Sequence, residues 1–70
     1  MRVLAIDPAV RNTGYAVLEG EARKPMVLAF DVISIPKSIA QSAALAAVRT
    51  HLVNLIVKFQ PDEVAVEGII

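Results

Sequence analysis

Seventy residues with a mass of 7.5 kDa allow one small domain at most. Seven Lys and Arg balance seven Asp and Glu, so a strongly basic nucleic-acid clamp or an acidic tail is excluded as the whole function. A hydrophobic share of 56% excludes a disordered chain, and the lack of cysteine excludes a disulfide framework or a thiolate zinc site.

The apolar run between Met1 and Asp7 is far too short for a secretory signal or a membrane span. The expected compartment is the cytoplasm, with no membrane partner. Chains of this size seldom bury enough core to stand without a metal, a disulfide or a partner. The chain is therefore expected to lean on another subunit, or to be the opening portion of a larger domain.

Arg2 to Asp7 reads as a strand whose unbroken apolar residues, Val3 to Ile6, suggest burial on both faces. Pro8 to Asn12 breaks it, and Thr13 to Leu18 reads as a second strand. Glu19 to Pro25 carries Gly20, charges and a proline, which suits an exposed hairpin loop. Met26 to Ile35 is a third strand. Its one charge, Asp31, falls on the Val27, Ala29 and Ile33 face and is expected to protect an edge strand from pairing.

Pro36 ends that strand, and Ser38 to Gln41 fits a capping box with Gln41 reaching back to the N-cap. From there to Phe59 the pattern is helical, with Leu45, Val48, Leu52, Leu55, Ile56 and Phe59 at spacings of three and four. Pro61 follows, and Glu63 to Gly68 begins a fourth strand whose unbroken apolar core of Val64, Ala65 and Val66 again suggests burial on both faces. The order is β-β-β-α-β. Short loops make the first three strands antiparallel neighbours, and a right-handed helical crossover sets the fourth parallel to the first. The expected class is α/β, a mixed sheet with strand order 3-2-1-4. One helix covers one face of such a sheet, so the other face needs a cover that these residues do not contain.

Asp7 ends a buried strand, where open sheets of parallel type place ligands, although Asp-Pro also serves simply as a turn. Glu67 follows Val-Ala-Val, where a carboxylate is costly to bury unless paired or bound to a cation, and the strand ending at Gly68 is the plain alternative. The two gain weight together. If the first and fourth strands are adjacent and parallel, period-two alternation brings both carboxylates to one end of one face, with strand axes about 4.8 Å apart. That separation suits carboxylates sharing one or two Mg²⁺ ions, which lie about 3.5–4 Å apart in two-metal sites.

Ile6-Asp7-Pro8, Arg11 and Thr13 to Val17, followed by Phe59-Gln60-Pro61-Asp62 and Ala65-Val66-Glu67, resemble the start of the RuvC family. The resemblance covers essentially the whole chain. It implies a ribonuclease H-like sheet, a homodimer, and Mg²⁺- or Mn²⁺-dependent cleavage of phosphodiesters in four-way (Holliday) DNA junctions. It also implies partnership with the RuvA–RuvB branch-migration complex. It assigns the first catalytic and metal-binding carboxylate to Asp7 and the second to Glu67, with further acidic residues on a later helix. Residues 1–70 are then expected to be the N-terminal part of a single nuclease domain, inactive alone. Two positions depart from the family pattern: Ala9 stands where a Gly is usual, and Ile70 where an aromatic residue often meets bases.

Arg11 and Thr13 are the candidate DNA contacts, set against a solvated Arg and a Thr that satisfies backbone groups in the turn. Lys37, Arg23 and Lys24 read as surface charge, Tyr15 as sheet packing, and His51 as a helix-surface or partly packed residue. Two other functions fit the fold class. An actin-like or sugar-kinase phosphate-binding ATPase also ends its first strand in Asp, but wants a glycine-rich turn where this chain has only Gly14. RuvX/YqgF-like nucleases share the Asp at the strand end, and Thr13-Gly14-Tyr15 favours the RuvC pattern over them. A non-catalytic ribonuclease H-like interaction module is the third reading, consistent with zero net charge.

Overall fold

The computed structural model describes residues 1–9, 11–21 and 23–67. The elements are β1 (Arg2–Asp7), β2 (Asn12–Glu21), β3 (Lys24–Ser34), α1 (Gln41–Phe59) and β4 (Glu63–Val66). They build one four-stranded sheet in the order β3-β2-β1-β4. β1 pairs antiparallel with β2 and parallel with β4, as the crossover argument requires.

Alternation along β1 sends Leu4 and Ile6 to one face, where they meet Val17 of β2 and Leu55 of α1 in the core. Tyr15, Ala29, Leu52 and Phe59 pack around that cluster. The helix stripe against the sheet is Ala44, Val48, Leu52, Leu55 and Phe59. Leu45 and Ile56, expected in that stripe, are 50% and 42% exposed. Ala44 takes the position expected of Leu45, because a methyl group lets the helix approach the sheet more closely.

By length and composition alone α1 meets the requirement for a membrane-crossing helix. Its contacts with the sheet identify it instead as the crossover between β3 and β4.

Several expected boundaries shift. The capping box does not form: the N-cap is Ala40, without a side-chain cap bond, and Gln41 is the first helical residue. Ser38 lies instead in the turn closed by Ile39 N–H donating to Pro36 O at 3.1 Å. The helix ends at Gln60, which adopts a left-handed conformation (φ 47°) and donates its N–H to Ile56 O at 2.8 Å. The expected Glu19–Pro25 loop is largely strand, since charged side chains on a two-stranded ribbon simply face water. Gly20 has φ 112°, a conformation that side-chain-bearing residues rarely adopt.

A bulge sets Val17 opposite Ala29 but Leu18 opposite Val27. Val27 therefore leaves the Ala29 and Ile33 face and is 53% exposed. β4 is exposed along its whole length rather than buried on both faces, because it is an edge strand. Its expected continuation to Gly68 lies outside the described residues. Among the described residues nothing covers the sheet face away from α1: Phe30 and Val32, opposite Ala16 and Gly14 of β2, are 77% and 52% exposed.

Candidate active site

The two carboxylates singled out in the sequence come to the same end of adjacent strands. β1 and β4 run in the register Val3↔Glu63 to Ile6↔Val66, so Asp7 and Glu67 each stand one residue beyond the last paired rung. Glu67 N–H donates to Ile6 O at 3.0 Å, which continues the ladder past Val66. Asp7 shares the uncovered face with Val3 and Ala5, and alternation from Ala65 gives Glu67 that face too.

Both acids are exposed and line one open cavity of about 290 Å³. Among the described residues neither carboxylate has a salt-bridge or hydrogen-bond partner. Their oxygens are thus available to a cation or to water.

Gly14 lies directly opposite Asp7 in the β1–β2 ladder. A Cβ placed there would come 3.8 Å from the Asp7 Cβ, so the missing side chain keeps the space beside the carboxylate open. Asp31 lines the same cavity, and its Oδ1 accepts from Val32 N–H at 2.7 Å. Edge protection describes its strand position, but not its place at the cavity rim. The register sets Asp31 opposite Tyr15, on the α1 side of the sheet, so alternation alone does not point to the cavity, whose rim Asp31 reaches from the edge strand. Among the described residues no three Asp, Glu, His or Cys side chains gather as a metal cage. The chain offers a pair of hard oxygen donors, which fits part of a Mg²⁺ or Mn²⁺ site and leaves other positions to water and phosphate.

Arg11 and Thr13 hold the turn that follows Asp7. Arg11 Nη1 donates to Pro36 O at 2.7 Å and Nη2 to Ile39 O at 2.9 Å, tying the turn to the β3–α1 connection. The Thr13 hydroxyl, in a residue only 2% exposed, donates to Ala9 O at 2.6 Å. Thr13→Val is expected to cost about 1 kcal/mol in denaturant unfolding of the full-length protein, because Ala9 O then keeps only the longer 3.2 Å bond from Asn12 N–H. A tenfold weaker junction affinity with stability unchanged would assign Thr13 to DNA instead. Tyr15 packs on the core and its ring lies 5.9 Å from that of His51, a packing partnership that accounts for both residues. Arg23, Lys24 and Lys37 are exposed, and Ile70 lies outside the described residues.

Residues 3–70 match the family model described as crossover junction endodeoxyribonuclease RuvC. The chain belongs to the RuvC family. A RuvC from Akkermansia muciniphila is 59% identical over 70 residues, covering 100% of this chain and 42% of the relative. A RuvC from Dehalococcoides mccartyi is 39% identical over 68 residues, with 97% of this chain and 41% of the relative covered. The solved structure of T. thermophilus RuvC in complex with Holliday junction substrate superposes with a TM-score of 0.91 at 25% identity, over 97% of this chain and 42% of that one. The chain thus spans about two fifths of the length of the RuvC relatives it matches. That superposition agrees with the ribonuclease H-like mixed sheet expected from the sequence.

Proposed function

We propose that residues 1–70 form the N-terminal part of a single ribonuclease H-like nuclease domain that resolves four-way DNA junctions by divalent-metal-dependent phosphodiester hydrolysis. The observation that carries this reading is the meeting of Asp7 and Glu67 on one sheet face, in a chain of the RuvC family. Asp7 and Glu67 are the catalytic, metal-holding carboxylates. Mg²⁺ or Mn²⁺ fits their oxygen donors. When bound, the metal supplies Lewis-acid stabilisation of the phosphoryl oxygens and an activated water.

The chain's own residues prepare that site. β1, paired on both sides, gives Asp7 a fixed base, and Gly14 leaves room for a phosphodiester beside it. Arg11 and Thr13 hold the loop that runs on from Asp7, and any DNA contact by either must compete with the bonds they make here. The remaining acids are supplied by the part of the RuvC domain outside this match. The working protein is a cytoplasmic homodimer acting on junction DNA together with the RuvA–RuvB complex. The junction-bound state of the T. thermophilus relative supports the substrate class.

A Mn²⁺ titration of the full-length protein, followed by backbone NMR, tests the metal site. Paramagnetic broadening is expected first at Asp7, Gly14 and Glu67. Broadening elsewhere with none at these residues would overturn the assignment. Cleavage of a four-way junction, with a matched linear duplex left intact, tests the substrate class.

A further inference from the structure

One motif remains without a task in this chemistry: the Pro61-Asp62 step at the opposite end of β4 from Glu67. Asp62 and Arg2 form a reciprocal pair. Asp62 N–H donates to Arg2 O at 2.7 Å, and Arg2 N–H donates to Asp62 Oδ2 at 2.8 Å. The Arg2 side chain extends the clasp. Its Nη1 donates to Phe59 O at 2.6 Å, satisfying a carbonyl at the end of α1, and its Nη2 meets Glu19 Oε1 at 3.3 Å. The clasp therefore joins β1, β2, the helix terminus and the residue that precedes β4.

Asp7 lies five positions after Arg2, and Glu67 lies five positions after Asp62. Clasping the first pair sets the second pair side by side. β4 needs this because it is four residues long, exposed throughout and paired on one side only. Nothing in its Val-Ala-Val pattern opposes a slip along β1 by burial. A one-residue slip would turn Glu67 to the other face, and a two-residue slip would move it about 6.6 Å along the strand.

We propose that Asp62 is a positioning residue for the Asp7–Glu67 pair, its carboxylate pinning the register of β4 against β1. The proposal rests on the metal-site reading above. Apparent metal affinity falls with the fraction of molecules that hold Glu67 in register, so losing the pin weakens metal binding before it touches junction binding.

The test uses full-length protein, with Mn²⁺ alone as the probe of the site and a four-way junction as the substrate. Asp62→Ala is expected to weaken Mn²⁺ binding about five- to tenfold, because losing a bond to a charged acceptor moves the register equilibrium by about 50–100-fold, from mostly in register to mostly slipped. Cleavage should fall in step at low Mn²⁺ and recover at saturating Mn²⁺, with junction affinity unchanged. Asp62→Asn keeps the acceptor oxygen and should stay within about threefold of the parent, as a hydrogen-bond role requires.

Residues 1–70 have no cysteine, so Val3→Cys with Glu63→Cys, at partnered positions in a full-length protein with any further cysteines replaced by serine, allows the register to be locked chemically. Oxidation of that pair in the Asp62→Ala background should restore Mn²⁺ affinity, and reduction should abolish the gain. Parent-like Mn²⁺ affinity and cleavage in Asp62→Ala would overturn the proposal. So would failure of the oxidised pair to restore affinity in folded Asp62→Ala protein, or a tenfold loss in Asp62→Asn, and the Asp62→Asn result decides the matter even if Asp62→Ala does not fold. Parent protein that binds no Mn²⁺ near Asp7 and Glu67 would instead overturn the metal-site reading itself.

Discussion

Asp7→Asn and Glu67→Gln, each placed in the full-length protein, are expected to lower junction cleavage by at least about 10²–10³-fold. Each change keeps the size of the side chain and removes one negative charge from the donor pair. A hard cation held by few protein ligands depends on each of them, because water then fills most of its coordination shell. The lost carboxylate therefore removes stabilisation of the charge that develops on the phosphoryl oxygens. Folding should not change. Both side chains are exposed and neither has a protein partner among the described residues, so stability should stay within about 0.5 kcal/mol. Junction affinity should also hold, since phosphate contacts come from basic groups and backbone N–H rather than from these acids. Single-turnover cleavage with Mg²⁺, beside a gel-shift titration without metal, separates the two effects. Either variant cutting within a few-fold of the parent rate would remove that residue from the site.

The 70-residue chain by itself is expected to self-associate, to bind DNA poorly at physiological salt and to leave junctions uncut. Its covered core is small: the buried hydrophobic residues are Leu4, Ile6, Val17, Ile33, Ala44 and Leu55. Opposite them, Phe30 and Val32 stand on a sheet face that none of the described residues covers. Leu45, Val53, Ile56 and Val57 form a second exposed apolar surface on α1. Water-exposed patches of this kind drive association. DNA affinity grows with the number of phosphates neutralised, and seven basic residues offset by seven acids provide little of it. Sedimentation velocity, salt-dependent binding and a nicking assay read the three outcomes. A monodisperse monomer that melts cooperatively and nicks a four-way junction would contradict the expectation outright.

Strand order and direction were legible because the sequence punctuates itself strongly. Asp7-Pro8, Pro36 and Pro61 break the apolar runs, and only a helix of the length of α1 can return the chain for a parallel pairing. β1 was placed to the residue. The helix start was misread because Ser38 and Gln41 carry the right side chains for a cap, while the local chain is tied elsewhere. Arg11 reaches from the β1–β2 turn to hold the Pro36 and Ile39 carbonyls, a long-range contact that no local pattern records. The bulge opposite Val17 was equally hidden, because period-two reading assumes an unbroken ladder. The juxtaposition of Asp7 and Glu67 followed from alternation once the strands were taken as parallel neighbours. The relation of Gly14 to the cavity depends on hairpin register rather than on residue type, and that of Asp31 was hidden because alternation sets it with Tyr15 on the α1 side.

The pairing of β1 with β4 also dictates when the carboxylates can meet. The β1–β2 hairpin closes across a short turn, whereas Arg2 and Asp62 are 60 positions apart. Closing so long a loop adds an entropy cost larger than that of the hairpin turn, and parallel pairings of high sequence separation form slowly. During synthesis Asp7 is finished early and waits, beside a complete hairpin, until α1 has crossed over and β4 has docked. Nascent or partly unfolded chains then hold a lone carboxylate at the strand end, unable to chelate. On the metal-site reading proposed above, cation capture comes late in folding, and a ribosome-bound intermediate lacking β4 should be blind to Mn²⁺.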